Sequence, residues 1–280
     1  MLKVIVVGYD KMLSSLVSGA LESGHKVVGV LRCDRYHIPA PLLFIKDIFA
    51  PSIDLSFIKS YGLYDIKAKS VNSREFKREF KKLGADIILV GSWGERFNKS
   101  VLDLPEFGCV NCHPSLLPQN RGPNPYFWAI YQGKTRTGVT FHLMDEGYDT
   151  GKILAQAAID IGEDMNAGEL KNKLCQVAKL IVGPLLSELE GGIVVPVPQD
   201  ENCASYEGAL EAENTLIDFN RPVKDVKNHI RALLGIVVPY CKIDGFFHKI
   251  KNYAVFEGER RFKKSRVFKC LDGEIEVEIA

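Results

Sequence analysis

Three runs of branched aliphatic residues constrain this chain more than any other feature: KVIVVG (3–8), KVVGVLR (26–32) and ADIILVGS (85–92). Short, nearly unbroken apolar runs suit strands buried on both faces. Helical stretches separate them. Residues 11–23 form one, ended by Gly24. Residues 53–62 form a second, after a loop from Cys33 to about Pro51 that holds Pro39 and Pro41. Residues 72–83 form a third, with Asn72 or Ser73 as its N-cap. The alternation continues through GCVNCH (108–113), a helix over 123–132, and strands at TGVTFHLM (137–144) and KILAQAAIDI (152–161). A long helix over 166–190 follows. Strands alternating with helices predict an α/β fold, a Rossmann-like and mostly parallel sheet with helices on both faces.

The pattern changes at IVVPVPQDENCAS (193–205), where prolines and a polar run mark a linker. A short helix over 222–234 and strands near 238–244, 247–255, 266–271 and 274–279 come after it. Asp272-Gly273 between the last two is a hairpin signal. The expected organisation is a catalytic domain over 1–195, a linker over 196–205, and a small C-terminal β-rich, partial barrel-like domain over 206–280. A unit that small leans on its neighbour for stability.

Composition removes several function classes. The net charge is +1, so no bulk field recruits nucleic acid or anionic membrane. MLKVIVVGYD breaks into Gly and Asp too early for a signal peptide, and no 18-residue apolar run exists. With seven cysteines and no export signal, reduced thiols in a cytoplasmic protein are expected.

The stretch CVNCHPSLLP (109–118) allows two chemistries. Cys109-x-x-Cys112-His113 has the spacing of a c-type haem attachment. On a strand, however, side chains alternate faces. Cys109 and Cys112 then point to opposite sides, whereas Asn111 and His113 share one. No second Cys/His cluster has metal-ligand spacing, so no metal is expected. In sheets of this class ligands bind outside the carboxyl ends of strands. Asn111 and His113 lie at such an end, and so does MDEGYDTG (144–151), which offers Asp145, Glu146 and Asp149. An amide, an imidazole and a carboxylate suit acyl transfer. The amide donates to an oxyanion, the imidazole relays protons, and the carboxylate favours the charged imidazole. For an isolated Asn-x-His, a turn cap and an ordinary strand-end histidine are the plainer account.

The wider pattern decides. NCHPSLLPQNRG followed by GVTFHLMDEGYDTGKILAQ resembles the folate-dependent formyltransferases, in strand pattern over roughly residues 1–200. The family includes methionyl-tRNA formyltransferase, glycinamide ribonucleotide formyltransferase and enzymes that formylate amino sugars on nucleotide carriers. The tail from DFNRPVKDVKNHIRAL resembles the start of the C-terminal domain of the tRNA and amino-sugar enzymes. The resemblance implies 10-formyltetrahydrofolate as the donor. It gives Asn111 the formyl oxygen, His113 the tetrahedral intermediate and a proton relay, and Asp149 a part with His113 in taking the proton from the amine. It sets the pterin against the loops at 89–97 and 144–149, largely through backbone groups, with Trp93, Phe97, Met144, Asp145 and Gly147 as contacts. It places Gly8, Tyr9 and Asp10 beside the acceptor, together with Ser115 and Arg121. GYDKML is not G-x-G-x-x-G, so no dinucleotide is expected.

The acceptor is read from charge. A tRNA demands basic surface. The tRNA enzymes resemble one another in a basic insertion after the second strand. Here CDRYHIPAPLLFIKDIFAPS (33–52) balances Arg35 and Lys46 against Asp34 and Asp47. The C-terminal strands also stop short of a complete barrel. A nucleotide-linked amino sugar is therefore the expected acceptor and methionyl-tRNA the alternative. Arg121 can pair with a diphosphate, and the aromatics of RGPNPYFWAIYQG (121–133) can stack on a base or simply pack a helix. Arg260, Arg261, Lys263, Lys264 and Arg266 form a basic cluster, either a solvated loop or a phosphate contact. EIEVEIA reads as an exposed edge strand or as half of a homodimer contact.

Overall fold

The structure is a computed structural model that describes residues 1–32 and 52–280. The loop from Cys33 to Pro51, with its charge balance, lies outside the described residues. The elements run β1 (Lys3–Gly8), α1 (Asp10–Glu22), β2 (Lys26–Arg32), α2 (Ile53–Ser60), α3 (Arg74–Leu83), β3 (Ile87–Gly91), α4 (Lys99–Leu102) and β4 (Cys109–His113). They continue with α5 (Pro125–Tyr131), β5 (Arg136–Leu143), β6 (Ile153–Asp160), α6 (Ala167–Glu190), α7 (Val223–Leu233), β7 (Tyr240–Ile243), β8 (Phe246–Val255), β9 (Ser265–Lys269) and β10 (Glu274–Ile279).

A six-stranded sheet has the order β2-β1-β3-β4-β5-β6. Its first four strands pair in parallel, and β5 runs antiparallel to β4. The mostly parallel α/β sheet expected from the sequence is thus what the chain forms. Val4, Ile5, Val6 and Val7 of β1 are all fully buried. Each such side chain is worth at most about 1.5–3 kcal/mol on transfer from water.

Local chemistry ends the helices where it should. The Ser73 hydroxyl accepts from Phe76 N at 3.1 Å and caps α3, and Gly84 closes that helix in the left-handed conformation. Phe76 and Phe80, one turn apart, enter the apolar cluster that contains Ile5, Val7 and Ile88. Gly19 of α1 and Gly183 of α6 let those helices touch. A Cβ on Gly19 would strike Lys179 O and Val182, and one on Gly183 would strike Ser23.

Two compact units result. The larger comprises Met1–Arg121, Val139–Ala157 and Leu174–Ser205, and the smaller Gly122–Gly138, Ala158–Lys173 and Tyr206–Ala280. In the smaller unit an antiparallel sheet has the order β7-β8-β10-β9, and Asp272-Gly273 turns β9 into β10. Tyr131 of α5 meets the His229 ring of α7 edge-on at 5.0 Å, and Arg221 lies over the same tyrosine at 5.3 Å. Among the described residues no helix is long and apolar enough to cross a membrane.

Candidate active site

Strand parity builds the site. Cys109 joins the apolar cluster beside Val101, while Cys112 packs its sulfur 3.6 Å from Met12 of α1. The two thiols therefore leave β4 in different directions. Burial pushes the Cys109 thiol up to about 12 and Cys112 well above its ordinary value. Neither is a reactive thiolate. Among the described residues no group of His, Cys, Asp and Glu could hold a metal ion.

Asn111 and His113 meet Asp149, which comes from the loop after β5. Asn111 Nδ2 donates to Asp149 Oδ1 at 3.2 Å, and His113 Nδ1 lies 3.5 Å from the same oxygen. That loop is shaped by Asp145, whose Oδ1 accepts from Gly147 N at 2.9 Å and from Thr150 Oγ1 at 2.7 Å. Asp149 itself has φ 56, the left-handed conformation uncommon for a residue with a side chain. Gly151 follows, and a Cβ there would run into Leu143 O.

Proton positions follow from the partners. His113 Nε2 lies 2.8 Å from Asn120 O. A carbonyl only accepts, so Nε2 carries a hydrogen and Nδ1, facing Asp149, is the nitrogen that titrates. Burial lowers the His113 pKa below its ordinary value, while the Asp149 charge and the Asn120 bond raise it and nearby His142 lowers it; burial prevails. His142 Nδ1 similarly donates to Leu143 O at 2.9 Å. Its Nε2 then accepts from Asn111 Nδ2 at 3.2 Å. His142 Nε2 also lies 3.6 Å from Asp149 Oδ1. Both hydrogens of the Asn111 amide have protein partners, so a substrate oxygen must compete for one.

A cleft opens beside this cluster. Trp93, Phe97, Met144, Asp145 and Gly147 all line it, together with Asn111, His142 and Asp149. His113 does not line it and is 5% exposed. Arg96 and Tyr148, at the rim, are in cation–π contact at 5.5 Å. The loop after β3 is pinned by Glu95, which accepts from Val71 N at 3.1 Å and Asn72 Nδ2 at 2.9 Å.

The remaining residues expected from the sequence lie elsewhere. Gly8 ends β1, Tyr9 links it to α1 and Asp10 begins that helix, and none of the three lines the cleft. A Cβ on Gly8 would meet Gly91 O, so glycine is needed for strand contact. Asp10 N donates to Asp54 Oδ1 at 2.9 Å. The buried Ser115 donates its hydroxyl to Gln119 O at 2.7 Å and shapes the Ser-Leu-Leu-Pro turn. Arg121 is buried, and its guanidinium is held by Gln199 Oε1 and by both carboxylate oxygens of the exposed Glu201. Trp128 donates Nε1 to Gly208 O at 3.0 Å. Sequence reasoning missed His142 and Gln199. The alternation of Thr and His on β5 carried a signal for the first, because the register sets His142 opposite Asn111.

A family model described as formyl transferase matches residues 3–183. The methionyl-tRNA formyltransferase of Caldanaerobacter subterraneus subsp. tengcongensis is 36% identical over 258 residues, covering 91% of this chain and 82% of that protein. The methionyl-tRNA formyltransferase of Ruminiclostridium cellulolyticum is 31% identical over 231 residues, covering 82% of this chain and 72% of that protein. Among solved structures, the N-formyltransferase of Helicobacter canadensis in complex with folinic acid and dTDP-3-aminofucose has a TM-score of 0.75 at 18% identity, with 100% of each chain covered. That likeness speaks for the fold.

Proposed function

The chain belongs to the formyl transferase family and is a formyl-transferring enzyme, and from that premise we propose that it moves a formyl group from 10-formyltetrahydrofolate to the primary amine of a nucleotide-linked amino sugar. The observation that carries the transfer is the convergence of Asn111, His113 and Asp149 at the edge of the cleft. The residues of the cleft suit a folate: Trp93, Met144 and the buried Phe97 give apolar walls, and the exposed Gly94 and Gly147 bring backbone without side chains to its rim. When bound, the donor supplies an activated formyl group.

The chain's own groups then divide the work. Asn111 yields one amide hydrogen to the charge that develops on the formyl oxygen. Asp149 faces the cleft and takes the amine proton. His113 stands behind it and exchanges protons through Nδ1 alone, because Nε2 is held by Asn120 O. As the amine nitrogen bonds the formyl carbon, its proton passes by way of Asp149 to His113, and the cation so formed offsets the charge on the formyl oxygen. When the bond from the formyl carbon to the folate nitrogen breaks, the same proton returns through Asp149 to that nitrogen and tetrahydrofolate leaves.

The sugar acceptor is supported by the balanced charge of residues 33–52 and by the state of the basic cluster. Arg261 pairs with Glu257 at 3.2 Å, Lys264 donates to Ala280 O at 2.9 Å, and the backbone amides of Arg261 and Phe262 point to the buried Glu276. The Helicobacter canadensis enzyme, with a nucleotide amino sugar bound, has the same fold over the whole chain. A second reading, methionyl-tRNA as acceptor, is favoured by the 36% identity to an enzyme of that name.

The test is consumption of 10-formyltetrahydrofolate against a panel of nucleotide-linked amino sugars, with methionyl-tRNA alongside. Turnover with one sugar nucleotide is expected. Turnover with tRNA alone, with binding that weakens steeply as salt rises, assigns the second reading. No turnover with any amine overturns both.

A further inference from the structure

We propose that residues 197–205 form a strap that holds the proton-transfer pair in register, with Gln199 as the positioning residue for Asp149; this rests on the roles proposed above for Asp149 and His113. The strap is pinned along its length. Val197 and Ile153 exchange backbone hydrogen bonds of 2.8 Å. Gln199 Nε2 donates to two carbonyls, Asp149 O and Gly151 O, each at 2.8 Å. Both hydrogens of that amide are thereby fixed on the loop carrying Asp149. Its oxygen faces the other way and accepts from Arg121 at 3.1 Å and 2.8 Å. Glu201 takes the remaining face of the Arg121 fork at 2.7 Å and 2.9 Å. Ser205 closes the strap. Its hydroxyl accepts from Asn120 N at 2.8 Å, its carbonyl accepts from Arg121 N at 2.9 Å, and its amide donates to Pro118 O at 3.2 Å.

One segment thus grips both partners. Gln199 fixes the backbone of Asp149 in its left-handed conformation, while Ser205 fixes Asn120, whose carbonyl holds His113 Nε2. Asp149 meets three groups through one oxygen, at 3.2 to 3.6 Å. A small rotation of its backbone would lengthen all three contacts together. Gln199 acts through Asp149 and does not line the cleft.

Two variants test the proposal. Gln199→Met keeps the length of the side chain and removes both donors. Gln199→Glu keeps the acceptor for Arg121 and places a carboxylate oxygen against two carbonyls. In both, kcat for the sugar nucleotide that turns over in the screen should fall by about tenfold to a hundredfold, as misplacement of a reacting group by a fraction of an ångström does. KM for the folate should change less than about threefold, because Gln199 touches no cleft surface. The second readout needs no substrate. In protein with 13C-labelled histidine, the titration midpoint of His113 should move to lower pH in Gln199→Met, since Asp149 is what raises it; Gln199→Glu adds a carboxylate of its own and is read by kcat alone. Among the described residues His142 also influences His113, in the opposite direction. A merely structural loss would lower Tm and leave that midpoint alone. Full kcat in both variants, with an unmoved midpoint in Gln199→Met, overturns the strap. His113→Ala is measured in parallel. If it is inactive while both Gln199 variants are fully active, the strap alone is wrong. If it is fully active, the roles on which the strap rests are wrong.

Discussion

Replacing Asp149 with Asn tests the electrostatic core of the site while keeping its shape. The substitution leaves an oxygen for the Asn111 amide at the same reach and removes one negative charge. That charge lies 3.5 Å from His113 Nδ1. Two unit charges at that distance interact with about 4.7 kcal/mol in an effective dielectric near 20. Water and side-chain relaxation absorb part of this, and a neighbouring carboxylate typically moves a histidine by about one to three pH units. Burial already holds His113 below its ordinary pKa, with Asp149 as the largest opposing influence. In Asp149→Asn that opposition disappears, so the His113 midpoint must fall further. The ring stays neutral throughout the neutral range and stores no proton from the amine. Loss of this acid-base step should lower kcat by about 10²- to 10⁴-fold. The assay pairs formyl transfer as a function of pH with NMR titration of 13C-labelled His113. A midpoint in Asp149→Asn equal to or above that of the parent protein would refute the reasoning, whatever happened to the rate.

Three further outcomes follow from the same structure. The pKa values of His25, His113 and His229 are all lowered, chiefly by burial. Between each lowered value and the ordinary one the unfolded chain binds more protons, so stability rises with pH across that window. Tm should be highest above the ordinary histidine value of about 6.5 and fall as pH drops below it; a Tm independent of pH from 7.5 to 5 would contradict this. Among the described cysteines Cys203 is exposed and the other five are buried. Maleimide at neutral pH should label Cys203 and spare Cys109 and Cys112, as read by mass spectrometry of tryptic peptides. Gly151→Ala should abolish formyl transfer, because its Cβ would collide with Leu143 O in the loop that presents Asp149. Wild-type kcat in a folded Gly151→Ala protein would show that this close approach is not needed.

What the sequence revealed was what local chemistry controls. Ser73, Phe76, Phe80 and Gly84 mark a helix because cap, apolar spacing and stop signal all fall within about three turns of chain. Asn111 and His113 share a face through parity, which needs no knowledge of the partner strand. The alternation of Thr and His along β5 hinted at His142, but its place beside Asn111 depends on the register of β5 against β4. Arg121 reads from the sequence as a guanidinium able to pair with a diphosphate; that Gln199 and Glu201 hold it could not be read there, because they lie 78 and 80 residues away along the chain. The grouping of residues 122–138 and 158–173 with 206–280 is likewise made of contacts between distant segments.

The placement of His113 also limits which mechanisms this site can run. A histidine that exchanges protons directly with substrate needs a free nitrogen on the cleft. Here one nitrogen is committed to a backbone carbonyl, the other faces Asp149, and the ring is buried. Asp149 is the group that touches both the cleft and the imidazole. In the proposed mechanism its carboxylate accepts from the amine and hands on to the ring, through the same oxygen or after a rotation of the side chain. Such a relay tolerates little error in that one side chain. It places the demand for rigidity on the backbone of Asp149, where the left-handed conformation, the Gly151 contact with Leu143 and the two bonds from Gln199 converge.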